Sequence, residues 1–253
     1  MNSSVYLIGA GIAAQGKDLE EALLLQQSNP TFRKASRNMM TANLAIQLAV
    51  KDSGLTLSNY SEAGFILGSS YGELENTTEF LKHWVRSQMA RPILFQSSLH
   101  NGTLGFLALF LSLPGPSFSI SQRYFSGEKA LEAGADLIRA GIADLVLVSA
   151  VDVMSELLFP ALKSKLRADL QWRDGASAVV LASADYIASK QIQPKAEFLS
   201  LRTERPSPTS AQATGEFYDS DGLQKWITAI QGGGPQVLAL PKPDGSVSRI
   251  EWR

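Results

Sequence analysis

The chain has 253 residues, 45% of them hydrophobic and 19% charged, enough to bury a substantial core as one large or two small units. A formal net charge of −1 gives no electrostatic footing on nucleic acid or an anionic membrane. Cysteine is absent, which excludes disulfides, thiolate metal sites and a thiol nucleophile and fits a cytoplasmic setting.

The N-terminus shows neither a basic leader nor a long apolar core, so no signal peptide is expected. Val5-Tyr6-Leu7-Ile8 reads as a buried strand, and Gly9 to Ala14 follows it as G-x-G-x-x-A, a form of the dinucleotide fingerprint. That fingerprint should open a helix at once. Here Gly16 interrupts, a helix starts near Asp18 with Glu21 completing a capping box, and Asn29-Pro30 ends it. The glycines are therefore expected in a strand-end turn. Residues 36–52 form a second helix with Met40, Leu44 and Leu48 at four-residue spacing and Gly54 as its stop.

Ala63 to Gly68 reads as a buried strand, and Gly68-Ser69-Ser70-Tyr71-Gly72 matches G-x-S-x-G, the elbow that presents a serine in α/β-hydrolases. Such an enzyme needs an acid and then a histidine after the serine. The chain has two histidines, His83 and His100, and the acids between Ser70 and either of them are Glu73, Glu75 and Glu79 on the adjoining helix. A Gly/Ser turn after a strand is the preferred reading. His83, near Lys82 and Arg86 in a helix over 73–87, belongs to a solvated face. His100 lies directly before an apolar helix from Leu104 to Leu113, a run too short for the ~20 residues that cross a bilayer. Two histidines on separate segments, with no cysteine, argue against a zinc site while carboxylate-based sites stay open, and no metal or cofactor is expected.

Pro114-Gly115-Pro116 stops any helix, and Phe118 and Ile120 then alternate with Ser117, Ser119 and Ser121 as a strand reaching Gln122. A sharp turn at Arg123-Tyr124-Phe125 leads to Ser126-Gly127 and a small-residue helix. Ala130, Ala133, Gly134, Leu137 and Gly141 form its slim face; Glu128, Glu132, Asp136 and Arg139 form a charged face toward water or polar partners. Strand, tight turn and helix together place a side chain at free N–H groups and a positive dipole end.

Buried strands follow at Asp144 to Ser149 and Asp174 to Leu181, so strands alternating with helices predict an α/β layered fold with a sheet covered on both faces. Beyond Ala184 the texture changes: a Pro/Ser/Thr-rich loop over 203–216, a helix over 220–231, the Gly232-Gly233-Gly234 break, and a strand pair at 236–240 and 247–252 around Lys242-Pro243-Asp244-Gly245.

The order Asn101, Leu113-Pro114-Gly115-Pro116, Ser119-Ile120-Ser121, Ser126-Gly127, Ile138 to Asp144 and Asp174-Gly175-Ala176 resembles the N-terminal half of β-ketoacyl synthases, of thiolase fold. Gly9, Gly11 and the Gly68 to Gly72 segment fit that family's opening. The resemblance covers residues 1–185 and implies a ketosynthase-like N-terminal half. Residues 186–253 would then be a short remnant of the second half, packed on the same domain.

Working synthases of the family carry an acyl-loaded cysteine at the turn and two histidines in the second half. Aligning on Ser126-Gly127 puts Tyr124 at the cysteine position, and residues 186–253 contain no histidine. A phenol with a pKa near ~10 is a poor substitute for a thiolate. The resemblance thus implies no catalytic residue, with Tyr124 and Phe125 plugging the loading position. It points to the chain-length factors of type II polyketide systems, including the short ones of aryl polyene pathways.

Such a subunit pairs with a catalytic ketosynthase in polyketide or fatty-acid-type biosynthesis, and an acyl carrier protein can reach it through the complex. The resemblance makes Ser117, Phe118, Ser119, Ile120, Ser121 and Gln122 the dimer-edge strand. Leu94, Ser98, His100, Leu104 and Leu107 are candidates for bordering the partner's acyl tunnel, against the plainer reading of core or interface packing. Two other classes stay open: an acyl hydrolase using Ser70 or Ser126, and a homodimeric acyl-binding or scaffold protein.

Overall fold

Apolar runs without alternation, such as those of residues 145–152 and 175–183, form strands covered on both faces. The structure is a computed structural model and describes residues 4–14, 16–56, 60, 62–153, 159–160, 170–206, 215–218 and 220–253. In chain order the strands are β1 (Val5–Ala14), β2 (Gly64–Gly68), β3 (Ser117–Ile120), β4 (Leu145–Asp152), β5 (Leu170–Trp172), β6 (Gly175–Ser183), β7 (Ala196–Glu204), β8 (Gly215–Phe217), β9 (Val237–Pro241) and β10 (Val247–Trp252). The helices are α1 (Lys17–Gln27), α2 (Arg37–Asp52), α3 (Leu74–Ser87), α4 (Pro92–Ser97), α5 (Gly102–Phe110), α6 (Ser126–Arg139), α7 (Ala184–Lys190) and α8 (Gly222–Gln231).

Eight strands form one sheet in the order β3-β2-β4-β6-β1-β7-β10-β9, and β5 pairs with β8 apart from it. β2 runs parallel to both β3 and β4, while β6, β1, β7, β10 and β9 continue the sheet by antiparallel pairing. Every residue of β4 and β6 is buried, as a central strand between two helical layers requires. On one face Leu145, Leu147, Val151 and Val180 meet Ala42, Ala45, Ile46 and Ala49 of α2, with α5 beside it. On the other, Val146, Val148, Val179 and Leu181 meet Ala130, Leu131 and Ala135 of α6 and Leu223, Trp226 and Ile227 of α8. This is the expected layered α/β fold, one sheet covered by helices on both faces.

The opening strand differs from expectation. β1 does not end at Ile8 but runs through both glycines to Ala14, with a register shift between Leu7 and Gly9. The shift exchanges faces, so Val5, Leu7 and Ala10 point to the α6 side while Gly9 and Gly11 lie under α2. A Cβ on Gly9 would sit 2.4 Å from the Ala49 carbonyl oxygen, and one on Gly11 2.3 Å from that of Ala45. The glycines admit a helix, and neither a dinucleotide fingerprint nor a strand-end turn forms.

Smaller corrections follow the same logic. The capping box expected at Asp18 is absent, because the N-cap of α1 is Gly16 and carries no side-chain cap bond. α2 is capped instead by the Ser36 hydroxyl, which accepts the Met39 N–H at 3.0 Å. Met39 and Met40 are core, whereas Leu48 is exposed. β3 stops at Ile120, so Ser121 and Gln122 lie in the turn and not in the strand. The expected loop over 203–216 falls partly outside the described residues; β7 reaches Glu204 and β8 begins at Gly215. Among the described residues no helix is long and apolar enough to cross a membrane.

Candidate functional site

Because β2, β3 and β4 are parallel, their C-terminal ends deliver three loops to one place, the position where open α/β sheets build sites. Those loops meet at the turn before α6, a single 3₁₀ turn over Arg123–Phe125. Arg123 has φ +47, a left-handed conformation that a non-glycine residue holds only under constraint from its surroundings. The constraint is visible. Its carbonyl accepts the Ser70 hydroxyl at 2.6 Å and the Ser126 hydroxyl at 2.7 Å, and the Ser126 oxygen in turn accepts the Gln122 N–H at 2.9 Å.

Asp152, the last residue of β4, is 1% exposed and fastens the neighbouring loops. One carboxylate oxygen accepts the Ser69 hydroxyl at 2.9 Å and the Ser70 and Tyr71 N–H groups at 2.8 and 3.2 Å; the other accepts the Ser220 N–H at 2.9 Å. Burial pushes its pKa up, and these donors oppose the shift without reversing it. Its acceptor capacity is spent on backbone and hydroxyl donors, so it anchors loops and is not free to act as a general base.

The serine motif is built in a way that suits structure and not hydrolysis. Ser69 spends its hydroxyl on Asp152 and its oxygen accepts the Gly72 N–H at 2.8 Å. His100 approaches the Ser69 carbonyl, at 3.2 Å, and His83 lies 3.2 Å from the Ser87 hydroxyl. Among the described residues neither imidazole has a hydrogen bond to Ser70 or Ser126, so no nucleophile and base are paired.

Aromatic and cationic groups line the turn. Tyr124 and Phe125 are half-buried; the Arg123 guanidinium lies 5.1 Å from the Tyr124 ring centre and the Lys242 ammonium 5.5 Å from that of Phe125. Tyr71 meets Trp172 edge-on with centres 5.6 Å apart. One turn into α6, Glu128 corrects the helical-face reading. Expected toward water or polar partners, it is 0% exposed and pairs with Lys242 from the turn after β9, and it accepts the Ser248 hydroxyl at 2.8 Å. Gly222 makes the room, since a Cβ there would lie 2.0 Å from the Glu128 carboxyl carbon. Sequence reading misses this residue because its counter-ion comes 114 positions later.

The tunnel candidates do not converge on one surface. Leu104 and Leu107 are buried in the core between α5 and the sheet. Leu94 is half-buried, Ser98 donates to the Phe95 carbonyl at 2.7 Å, and His100 is exposed with its ring against Gly72. A groove of about 450 Å³ beside α4 and α5 is lined instead by alternate residues of the same segments, including Ile93, Leu99, Phe106 and Leu109, together with Met39.

Among the described residues β3 is an edge of the sheet, hydrogen-bonded to β2 alone. The carbonyls of Pro116 and Ile120 accept the Phe65 and Ser69 N–H groups, so the alternating main-chain groups of Ser117 and Ser119 turn outward. Phe118 is 40% exposed on this edge, Leu109 of the neighbouring α5 83%, and Trp84, Val85, Met89, Ile93 and Phe95 are exposed on α3, α4 and their connection. Apolar exposure on this scale, together with a strand whose outer edge is open among the described residues, is the kind of surface that interaction sites show.

Sheet, turn and small-residue helix define a protein of ketosynthase-like fold. The chain belongs to the β-ketoacyl synthase family through its N-terminal domain, whose sequence model matches residues 8–169. No curated protein sequence matches it. Among solved structures, one similar chain comes from AntDE:AntF, described as a type II PKS acyl-carrier protein in complex with its ketosynthase bound to the hexaketide. It has a TM-score of 0.76 at 13% identity over 100% of this chain and 99% of that one. Another comes from the ketosynthase ApeO in complex with its chain length factor ApeC from Xenorhabdus doucetiae, with TM-score 0.65 and 17% identity over 98% and 99%. The ishigamide ketosynthase/chain length factor gives TM-score 0.65 and 18% identity over 93% and 71%. At these identities the likeness is one of fold.

Proposed function

We propose that this chain is a non-catalytic subunit of the chain-length-factor type, which pairs with a catalytic ketosynthase, stabilises it and bounds its acyl tunnel. The β3 edge carries the reading: a strand with an open outer edge and with exposed Phe118 and Leu109 on and next to it favours a partner, and complexes of a ketosynthase with a chain length factor are among the structures of similar fold. Residues 1–185 are then the ketosynthase-like half and 186–253 a remnant of the second half. Chemistry belongs to the partner, because this chain has no cysteine to load and offers a phenol at Tyr124 in its place. The assembly would work in the cytoplasm on polyketide or fatty-acid-type chains of the aryl polyene kind, with an acyl carrier protein docking on the complex. Leu94, Ser98, His100, Leu104 and Leu107, with Tyr124 and Phe125, are its proposed tunnel-side and partner-facing residues, and Ser117 to Gln122 its pairing segment.

Coexpression with a catalytic ketosynthase of the same source that carries the loading cysteine and both histidines tests the reading: a stable one-to-one complex is expected. Ser119→Pro, which removes an outward N–H, should weaken that complex while leaving the isolated chain folded. Absence of a complex, or a stable homodimer of the isolated chain in its place, would reject the proposal. The hydrolase alternative gains nothing from the serines, whose hydroxyls are held by the Arg123 carbonyl. A fluorophosphonate probe should leave the protein unlabelled.

A further inference from the structure

On the α2 face of the sheet, α2 lies close on β1 at Gly9 and Gly11, where an added Cβ would strike its backbone. Farther along, small side chains stand where larger ones would close the gap: Ala13 and Ala14 from β1 and Ala22 from α1. Between these and Leu44 and Leu48 of α2 a groove of about 550 Å³ stays open. That is within the range of small-molecule sites, roughly 300–1,000 Å³, and the walls are mainly apolar, as such sites are.

The polar end is one-sided. Lys51 lines the groove and is exposed, and its ammonium has no hydrogen bond or ion pair among the described residues. The carboxylate beside it is already occupied: Asp52 lies 3.1 Å from the Lys195 ammonium and accepts the Ala10 N–H at 2.8 Å. With Asp52 balanced by Lys195, Lys51 is, among the described residues that line the groove, a positive charge without a counter-ion next to an apolar channel.

We propose that this groove binds a linear amphiphile with an anionic head, of the class of medium-chain carboxylates, its chain against Ala13, Ala22 and Leu44 and its head on Lys51. The site shares no residue with the turn or the β3 edge, so its failure would leave the proposed pairing intact.

Titration calorimetry on the full chain tests it with sodium decanoate at monomeric concentrations and decyltrimethylammonium as the opposite-charge control. Saturable one-to-one binding of decanoate alone is expected. Ala22→Trp, at a half-buried position, should abolish it with the thermal midpoint unchanged, and Leu48→Asp, at an exposed one, provides a second block should the tryptophan perturb folding. Lys51→Glu should weaken decanoate by about fivefold, the upper worth of one exposed charge pair, while Lys51→Arg retains it. No saturable binding, equal binding of both head groups, or affinity unmoved by both blocking variants would overturn the assignment. So would a dimer of the chain that Ala22→Trp dissociates, since the groove would then be filled by a second copy.

Discussion

Replacing Lys242 by methionine should be among the costliest single changes in the chain. Lys242 is 3% exposed and Glu128 0%, and of the two Glu128 oxygens one serves both Lys242 and Ser248 while the other has no hydrogen-bond partner among the described residues. Lys242→Met leaves that carboxylate with one hydroxyl donor in a desolvated pocket. Breaking a buried pair from one side costs about 3–5 kcal/mol. For a chain of this length each kcal/mol moves the midpoint by about 2–4 °C, so a fall of about 6–20 °C is expected. The double variant Glu128→Gln with Lys242→Met removes both charges and should recover most of the loss, giving a coupling energy of about 2–4 kcal/mol. Urea denaturation of the four proteins, with circular dichroism as readout, measures it. A loss below about 1 kcal/mol in Lys242→Met, or losses that simply add in the double variant, would refute the view that this pair is a desolvated unit.

Gly11→Val should lower stability by about 1–3 kcal/mol or more, because the new Cβ would meet the Ala45 carbonyl at 2.3 Å and α2 would have to lift from β1; thermal unfolding checks it. Asp152→Asn presents an amide donor to one of the N–H groups that now point at a carboxylate, with an expected cost of about 1–3 kcal/mol at neutral pH. The same variant should alter the pH profile. A carboxyl whose pKa is raised on folding takes up protons in the native state, so its contribution to stability falls as pH rises from its ordinary value of 3.8 through the raised one. Urea titrations from acidic to neutral pH should show that downward slope reduced in Asp152→Asn.

Most strands were legible because β2, β4 and β6 are short apolar runs bounded by turn residues, and a buried strand has little other way to look. β1 was misread at its glycines for a specific reason. A period-two pattern cannot reveal a bulge, and a glycine that admits a helix spells the same letters as one that admits a phosphate. Glu128 shows the second limit: helical spacing assigned it to the charged face, while its burial is decided by Lys242 and Gly222 far along the chain. At the turn, the strand, the break and the helix were readable from Phe118, Ile120, Pro116 and Gly127. The left-handed Arg123 and its hold by Ser70 were not, since they depend on a loop more than fifty residues away. Leu104 and Leu107 share a face by their three-residue spacing, and both are buried in the core beside the sheet, but spacing alone does not say whether a partner's tunnel also borders that helix.

The two ends of the sheet are not alike. β3 offers outward main-chain groups from Ser117 and Ser119, whereas the opposite edge, β9, spans five residues and is bracketed by Pro235, Pro241 and Pro243, which have no N–H to give. A particle with one adhesive end and one blunted end has a valence of one. Pairing through β3, as proposed above, would leave only the proline-flanked edge, a poorer template for a further strand, which favours a pair over a fibre.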